Sequence, residues 1–123
     1  NFFSAVSLVE KFKCQGLKRV LFINSVAGKV AQQGQAQYGA SKHALQAYSE
    51  TLSKYSVGKG FDVMTINPGG IDTELWSGEE VLEKVVTDTF IQPTVLSGLI
   101  CTLLRLPYKT YIQSAIILPE HDI

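Results

Sequence analysis

Three polar residues have the types and the spacing of a proton-transfer site, and they lie within the segment SVAGKVAQQGQAQYGASK. Ser25 stands thirteen residues before Tyr38, and Lys42 follows Tyr38 by four residues. Side chains four apart share one face of a helix, so the phenol and the ammonium would be neighbours in a helix. A phenol ionises near pH 10 in water, and an adjacent fixed cation favours its ionised form. The trio therefore suits proton transfer to or from an oxygen atom as hydride arrives at or leaves carbon, with the Ser25 hydroxyl holding that oxygen.

Two alternating hydrophobic patterns predict the elements that must position these residues. Apolar residues at helical spacing predict helices over 1–13 and 37–57. Short β-prone runs predict strands over 19–24 and 61–66, and glycines separate them from the preceding helices. Ser25 would then end the first strand, and Tyr38 and Lys42 would lie on the helix that follows it.

The last third of the chain continues this alternation. A capping-box pattern at Ser77 predicts a helix over about 78–88. Pro93 suits the first turn of another helix that ends near Leu106, and YIQSAIIL predicts a strand over 111–118. The order αβαβααβ implies crossover connections between parallel strands.

The apolar character of the strands predicts the fold class. Continuous runs of Val, Ile, Leu and Phe must be covered on both faces, which favours an α/β fold with a doubly wound parallel sheet. The run at 19–24 is too apolar for an exposed edge strand, so we expect a neighbouring strand beside it. Ligands of such sheets bind outside the carboxyl ends of the strands. Ser25 and the turn at 67–70 both follow strands, so we expect Ser25, Tyr38 and Lys42 to meet there.

Composition and charge restrict the classes of partner. The chain has 123 residues, of which 46% are hydrophobic and 18% charged, and this suits about one globular domain. Eleven basic residues balance eleven acidic ones without a run of like charge, so no nucleic-acid or anionic membrane surface is expected. The apolar stretches are shorter than the roughly 20 residues that span a bilayer. We expect a soluble, cytoplasmic protein whose partners are small neutral molecules or other proteins.

The cysteines and histidines do not form a metal-binding pattern. Cys14 and Cys101 are too few and too distant for a disulfide scaffold or a zinc site, and we expect both to be reduced and buried. His43 and His121 have no Cys, Asp or Glu at ligand spacing, so surface or helix-packing roles are expected for them. The sequence therefore predicts no metal site.

Three motifs in register resemble the short-chain dehydrogenase/reductase family, in its single-domain branch. They are INS at a strand end, YGASK at a helix start, and INPGGIDTEL after the next strand, close to the family's Ser, Tyr-x-x-x-Lys and Pro-Gly-x-x-x-Thr series. The resemblance implies a Rossmann-like fold and hydride transfer between NAD or NADP and a carbonyl or alcohol substrate. It also implies that Tyr38 is the acid-base group, that Ser25 polarises the substrate oxygen, and that Lys42 lowers the tyrosine pKa and binds the nicotinamide ribose.

The resemblance assigns further residues to the site. Asn1 matches the family's helix asparagine, which holds a water in the proton relay. The residues implied to hold the nicotinamide ring and carboxamide are Pro68, Gly69, Ile71 and Thr73. Trp76 begins the variable segment that covers the substrate in this family. Apart from the resemblance, Gln32, Gln35 and Gln37 lie between Ser25 and Tyr38 in the sequence, and this position predicts that they line the pocket. Members commonly use helices such as 1–13 and 37–57 to pack homodimers or homotetramers, so such an assembly is expected.

The sequence departs from the family at the adenosine half of the cofactor site. It contains no G-x-G-x-x-G, because the segment 58–60 precedes a strand and lacks the third glycine. We therefore expect residues 1–123 to be the C-terminal half of a single Rossmann-fold oxidoreductase domain. The alternative function is a catalytically incomplete fragment that acts only in folding or oligomer assembly.

Two further enzyme classes fit the sequence less well. Sugar-nucleotide epimerases and dehydratases share Tyr-x-x-x-Lys, but the segment Pro-Gly-Gly-Ile-Asp-Thr favours the single-domain dehydrogenase branch. A serine hydrolase needs a G-x-S-x-G elbow, and GASKH (39–43) lacks the final glycine.

Overall fold

A computed structural model of the protein describes residues 2–76, 89–110 and 112–120. The helix predicted over 78–88 lies outside these residues. Within them, the helices are α1 (Phe3–Phe12), α2 (Ala36–Ser56) and α3 (Pro93–Leu104), and the strands are β1 (Arg19–Ile23), β2 (Asp62–Pro68) and β3 (Ala115–Ile117). Short 3-10 helices cover Val26–Gly28 and Glu74–Trp76.

The three described strands form one parallel sheet in the order β1-β2-β3. β1 pairs with β2 in the register Ile23↔Ile66, and β2 pairs with β3 in the register Asn67↔Ile116. Helices connect these parallel strands, which confirms the predicted α/β architecture. The carboxyl ends of all three strands consequently meet at one edge of the sheet.

β2 lies at the centre of the core, and its side chains alternate between two apolar clusters. Val63 faces α1 and α2, whereas Met64 and Ile66 face α3. The first cluster contains Val9, Phe22, Leu45, Leu52, Phe61 and Val63, and the second contains Met64, Ile66, Leu96 and Leu103. Every residue of β2 is buried, so helices cover both faces of this strand as a doubly wound sheet requires.

The outer strands are less buried than their apolar sequences predict. Ile23 on β1 is 49% exposed, and Ile116 on β3 is 50% exposed. β1 lies at one end of the sheet order and pairs only with β2 among the described strands, so the expected second neighbour is not found there. The apolar run predicted burial correctly for the strand that has a neighbour on each side.

Turn residues explain where α2 ends and where β3 departs from the prediction. α2 ends at Ser56, and Gly58 and Gly60 then turn the chain into β2 with φ values of 74° and 87°. β3 covers 115–117 rather than the predicted 111–118. β3 therefore pairs only with the last residues of β2, at the carboxyl edge of the sheet.

The prediction that both cysteines are buried is wrong. Cys14 and Cys101 are free thiols on the surface. Cys14 lies in the turn that follows α1, and Cys101 lies on the outer face of α3, away from the core residues Leu96 and Leu103. Cysteine is usually a buried residue type, but its position on the helix decides its exposure here.

Candidate active site

Ser25 lies directly beyond β1, where the chain turns into the 3-10 helix Val26–Gly28. Its side-chain oxygen accepts a hydrogen bond from the backbone N–H of Ala27 at 3.1 Å and thereby caps this helix. Ser25 is half-buried, and none of the described residues accepts its hydroxyl proton. The hydroxyl is thus fixed at the carboxyl end of β1 and can still donate to a ligand.

Tyr38 and Lys42 lie in the first turns of α2, on one face of the helix as their spacing predicts. The Lys42 Nζ atom lies 5.5 Å from the centroid of the Tyr38 ring. Tyr38 is 40% exposed, so its phenol is open to a ligand. Lys42 is half-buried, and Nζ donates to the backbone carbonyl of Asn24 at 3.4 Å. Lys42 therefore joins the tyrosine to the residue that precedes Ser25.

The hydroxyl groups of Ser25 and Tyr38 share no hydrogen bond. The oxygen of Ser25 bonds to Ala27, and the polar contact of Tyr38 within the described chain is its backbone carbonyl, which accepts from Ser41 Oγ at 2.7 Å. The Lys42 ammonium thus contacts the Tyr38 ring on one side and the backbone carbonyl of Asn24, at the end of β1, on the other. The structure does not join the two hydroxyls directly.

A network of buried amides lies beneath these residues, and the sequence analysis did not predict it. Asn24 is 4% exposed, and its Nδ2 donates to Asn67 Oδ1 at 2.9 Å, to the Lys42 carbonyl at 3.2 Å and to Gln46 Oε1 at 3.3 Å. Asn67 is fully buried, and its own Nδ2 donates to Ser114 Oγ at 3.1 Å. The network links β1, β2, α2 and the residue before β3.

Strand alternation was the sequence signal for this network. Asn24 follows Phe22 by two residues, and Asn67 follows Val63 by four, so each amide continues the face of its strand that is turned toward α2. The sequence pattern places Asn24 in the strand over 19–24 and Asn67 in the turn at 67–70, and it assigns neither side chain a partner. Because buried polar side chains are nearly always hydrogen-bonded, asparagines on a buried strand face are expected to have hydrogen-bond partners.

The network ends at an ion pair on the outer part of α2. Gln46 Nε2 donates to Glu50 Oε1 at 2.7 Å, and Lys29 Nζ binds the same oxygen at 3.1 Å. These contacts lower the pKa of Glu50, with the Gln46 hydrogen bond as the largest cause and the Lys29 hydrogen bond next. The negative charge of Glu50 is therefore balanced by Lys29 beside it.

The residues predicted to hold the nicotinamide follow the carboxyl end of β2. Pro68 is the buried last residue of that strand. The backbone N–H of Gly69 donates to the carbonyl of Ile117 at 2.8 Å and ties the segment to β3. Ile71 forms a parallel bridge with the segment before α3, and Thr73 is exposed. These four residues therefore lie at the same edge of the sheet as Ser25.

Trp76 packs against this segment. Its indole Nε1 donates to the carbonyl of Ile71 at 2.9 Å, and its ring lies 5.3 Å from the ring of Phe90 at an angle of 58°. Phe90 also covers Gly70, where a Cβ atom would lie 2.6 Å from the ring. A larger residue at that position would therefore require Phe90 to shift, and we name the group Gly70, Ile71, Trp76 and Phe90 the aromatic rim.

The structure supports no contact of the predicted site residue Gln35 with the site, and it does not describe Asn1. Gln35 directly precedes α2, is exposed and makes no capping hydrogen bond through its side chain.

Neither a membrane-spanning helix nor a metal site is found among the residues that the structure covers. No helix there combines the length and the apolar character that a membrane crossing needs. In the same ranges, no group of three or more His, Cys, Asp or Glu side chains could hold a metal ion. His43 is exposed on α2 with Nδ1 2.9 Å from the carbonyl of Gly39, which agrees with a surface role, and His121 lies outside the described ranges.

Comparison with known proteins decides the family. Residues 1–82 match the family model described as short chain dehydrogenase. The chain belongs to the short chain dehydrogenase family. In this short chain dehydrogenase, the matched residues include Ser25, Tyr38 and Lys42 as well as the segment after β2.

Three similar proteins show how much of a short chain dehydrogenase the chain represents. Dehydrogenase/reductase SDR family protein 7-like of Drosophila melanogaster is 38% identical over 79 residues, which make up 61% of this chain and 24% of that protein. A 3-oxoacyl-[acyl-carrier-protein] reductase of Synechocystis sp. is 31% identical over 97 residues, covering 76% of this chain and 39% of that enzyme. The closed form of serine dehydrogenase complexed with NADP+ has a TM-score of 0.76 at 22% identity, covering 91% of this chain and 48% of that one. The chain thus spans less than half of each of these proteins, and the shared fold confirms the predicted Rossmann-like architecture.

Proposed function

We propose that this short chain dehydrogenase transfers hydride between NAD(H) or NADP(H) and a carbonyl or alcohol substrate, with Tyr38 as the acid-base group. The position of the Lys42 ammonium carries this proposal. It lies 5.5 Å from the centre of the Tyr38 ring and 3.4 Å from the carbonyl of Asn24, next to Ser25. An ammonium at this place offsets negative charge on the phenol oxygen, so the Tyr38 hydroxyl can pass its proton to a substrate oxygen and take one back.

Ser25 and Tyr38 have different tasks at the substrate oxygen. Ser25 is fixed by the N–H of Ala27 and keeps its own proton available, so it donates a hydrogen bond to a carbonyl oxygen. Tyr38 is exposed and gives its proton to that oxygen when a carbonyl becomes an alcohol. In the reverse direction the phenolate of Tyr38 takes the alcohol proton. The Lys42 ammonium offsets the negative charge that the phenol then carries.

The residues at this edge of the sheet fit a nicotinamide cofactor. When bound, that cofactor supplies or accepts the hydride. An ammonium has three N–H donors, and Lys42 uses one of them on Asn24 among the described residues, so the others remain for the ribose hydroxyls. The exposed hydroxyl of Thr73 and the backbone groups after Pro68 would hold the carboxamide side.

The names of the similar proteins suggest which substrate and cofactor to test first. The Synechocystis relative is a reductase of 3-oxoacyl groups on acyl carrier protein. The serine dehydrogenase was solved with NADP+. We therefore propose a 3-oxoacyl thioester as the first carbonyl substrate and NADPH as the first reductant.

A second candidate function is a catalytically incomplete chain that acts only in folding or oligomer assembly. The sequence favours it, because no G-x-G-x-x-G that would bind the cofactor pyrophosphate occurs in the 123 residues. Phe3 and Leu8 on α1 expose apolar surface that a homodimer or homotetramer would cover.

The variant Tyr38→Phe tests the first candidate. The rate of acetoacetyl-CoA reduction by NADPH and by NADH is measured for the purified protein, for Tyr38→Phe and for the control Tyr55→Phe, which alters an exposed tyrosine of the same helix. We expect kcat to fall at least 100-fold in Tyr38→Phe, because general acid-base groups contribute about 10² to 10⁴ in rate. Tyr55→Phe keeps full activity, and both variants keep the Tm of the parent.

Two results would change the proposal. If Tyr38→Phe retains more than about one per cent of kcat, Tyr38 is not the acid-base group. If the unmodified protein shows no turnover and takes up no NADPH or NADH in native mass spectra, the second candidate replaces the first.

A further inference from the structure

Asn24 is the residue on which the contacts of the candidate site converge, although it has no reactive group. Its backbone N–H donates to the carbonyl of Ile66 at 2.9 Å and extends the ladder between β1 and β2. Its backbone carbonyl accepts the Lys42 ammonium, and its side chain bonds to the Lys42 carbonyl and to Asn67. One buried residue thus contacts β1, β2 and α2 at the level of the site.

The direction of the Asn24 carboxamide is fixed by its neighbours. The Nδ2 group faces three oxygens, and one of them is the backbone carbonyl of Lys42, which can only accept. Turning the amide would place its oxygen against that carbonyl. Among the residues that the structure describes, the buried Oδ1 atom has no hydrogen-bond partner, which is costly for an acceptor. The donor contacts of Nδ2 therefore determine the orientation even though the acceptor stays unpaired.

Close packing keeps this amide in place. A Cβ atom at Gly28 would lie 2.5 Å from Asn24 Nδ2 and 2.7 Å from the carbonyl oxygen of Lys42. The 3-10 helix that follows Ser25 thus presses directly on the hydrogen bond between Asn24 and Lys42. The side of this hydrogen bond that faces the 3-10 helix therefore has no space for an added methyl group.

We propose that Asn24 is a positioning residue for Lys42. Its side chain holds the backbone carbonyl of Lys42, while its own carbonyl receives the ammonium at the far end of the same lysine. Asn24, at the end of β1, therefore holds both the backbone carbonyl and the ammonium of Lys42. Asn67 supports the arrangement because it accepts from Nδ2 and is itself tied to Ser114. The kinetic consequence rests on the proposed function, but the position of Lys42 does not.

Lysine acetylation measures the position of Lys42 without turnover. The protein is treated with a trace of acetic anhydride, and mass spectrometry gives acetylation at Lys42 relative to the exposed Lys18. We expect Asn24→Ala to raise this ratio about threefold or more, because a lysine released from its anchor becomes more accessible. Ser49→Ala is the matched control, since it removes a buried hydroxyl of α2 that donates within the helix to Gln46. The control keeps the ratio of the parent.

Steady-state kinetics measure the effect on the chemistry. We expect Asn24→Ala to lower kcat by about tenfold or more, as misplacement of a group beside the reacting atoms does. The KM for the cofactor rises because Lys42 is displaced, and the KM for the carbonyl substrate stays within about twofold. If Asn24→Ala does not fold, as shown by the lack of a cooperative unfolding transition, Asn24→Leu is used for both measurements, because it keeps the size of the side chain and removes the donor.

The outcomes separate this inference from the proposed function. Equal acetylation of Lys42 in Asn24→Ala and Ser49→Ala overturns the positioning role whatever the activity. So does a raised ratio with unchanged kcat and cofactor KM in an active protein. A raised ratio together with the kinetic change supports it. A raised ratio in a protein that reduces no carbonyl substrate supports the position of Lys42 and contradicts the proposed function instead.

Discussion

The two ends of the parallel sheet are held together by different chemistry. At the amino end, Arg19 on β1 binds Asp62 on β2 through two contacts, Nε to Oδ1 at 2.5 Å and Nη2 to Oδ2 at 2.6 Å. At the carboxyl end, the neutral side chains of Asn24 and Asn67 meet at 2.9 Å. Both pairs join the same two segments of chain, so the contrast is one of charge and not of topology.

The amino end of the sheet is held by an ion pair, and the N–H groups of its arginine all donate hydrogen bonds. Arg19 Nη1 donates to the carbonyl of Leu103, in the last turn of α3, at 3.1 Å and to the carbonyl of Leu106, just beyond that helix, at 2.8 Å. The side chains of Arg19 and Asp62 are 11% and 5% exposed. The hydrogen bond that Arg19 donates to Asp62 is the largest cause of a raised pKa at Arg19. This end contributes to stability and has no task in the proposed chemistry.

The carboxyl end of the sheet is held by uncharged amide side chains, and one of their acceptor atoms is not hydrogen-bonded within the described residues. Asn24 Oδ1 has no partner, and Lys42 forms no ion pair among the described residues. A carboxylate in place of the amide would lose the Nδ2 donor and bring a negative charge against the oxygens of Lys42, Gln46 and Asn67. The comparison teaches that a site which depends on one cation is best supported by groups that carry no charge.

The largest effect on stability is expected from breaking the charged end. Asp62→Ala leaves the Arg19 guanidinium buried without its carboxylate, and we expect the free energy of unfolding to fall by about 3 kcal/mol or more. Activity per folded molecule stays within about twofold, because the change is at the opposite end of the strands from the site. Denaturant unfolding at pH 7 gives the free energy.

Asp72→Ala serves as the control for this prediction. Asp72 accepts an exposed hydrogen bond from Gln92 at 3.1 Å, and its loss is expected to change stability by less than about 1 kcal/mol. Equal destabilisation by the two variants would show that the buried ion pair does not hold the amino end together.

A smaller loss of stability is expected when a methyl group is added to the closely packed carboxyl end of the sheet. In Gly28→Ala the new methyl group would lie 2.5 Å from Asn24 Nδ2 and 2.7 Å from the Lys42 carbonyl oxygen. We expect thermal unfolding to show a loss of about 1–3 kcal/mol, as for other overpacked positions. Activity should fall as well, in contrast to Asp62→Ala.

Gly98→Ala provides the comparison for the glycine variant. Gly98 lies in α3, and a Cβ atom there would meet nothing within 4 Å. Alanine in an open helical position is expected to stabilise by about 0.5–1 kcal/mol. A Gly28→Ala protein that is as stable as Gly98→Ala would contradict the close packing between the 3-10 helix and α2.

The smallest effect concerns the pH dependence at the outer end of the amide network. Because the folded protein lowers the pKa of Glu50 from its ordinary 4.5, this carboxylate contributes stability above that value and loses it as the pH falls through the lowered pKa. Glu50→Gln is therefore expected to flatten the decline of Tm below pH 4.5. The Glu50 side chain is 44% exposed, so solvent screening limits the difference to at most about 2 °C.

Tm values at pH 6, 5, 4 and 3 test this expectation, with Glu120→Gln as the control. Glu120 is exposed and forms no ion pair among the described residues. If the curves for Glu50→Gln and for the unmodified protein are parallel below pH 5, the contacts of Glu50 do not contribute.

The sequence predicted best what local pattern determines. α2 and β1 are found within about a residue of their predicted bounds, because hydrophobic periodicity marks their length and Gly58 ends the helix region. The family motifs and their spacing also predicted that Tyr38 and Lys42 would share one face of α2. These features depend on residues close together in the chain.

Features that depend on distant neighbours could not be predicted in the same way. Ile23 has the composition of a buried strand residue, yet its exposure depends on whether another strand pairs beside β1. Asn24 and Asn67 lie 43 positions apart, and only the strand register shows that they meet. Cys101 is exposed because of its angle on α3, which its residue type does not encode.

The aromatic rim provides an optical property that follows from composition. Trp76 is the single tryptophan of the chain, and its indole N–H is bonded to the carbonyl of Ile71 while its ring packs on Phe90. Indole emission changes in wavelength and intensity with hydrogen bonding and with the polarity around the ring. Light absorbed by this one side chain thus gives a signal from the edge of the candidate site without any attached dye.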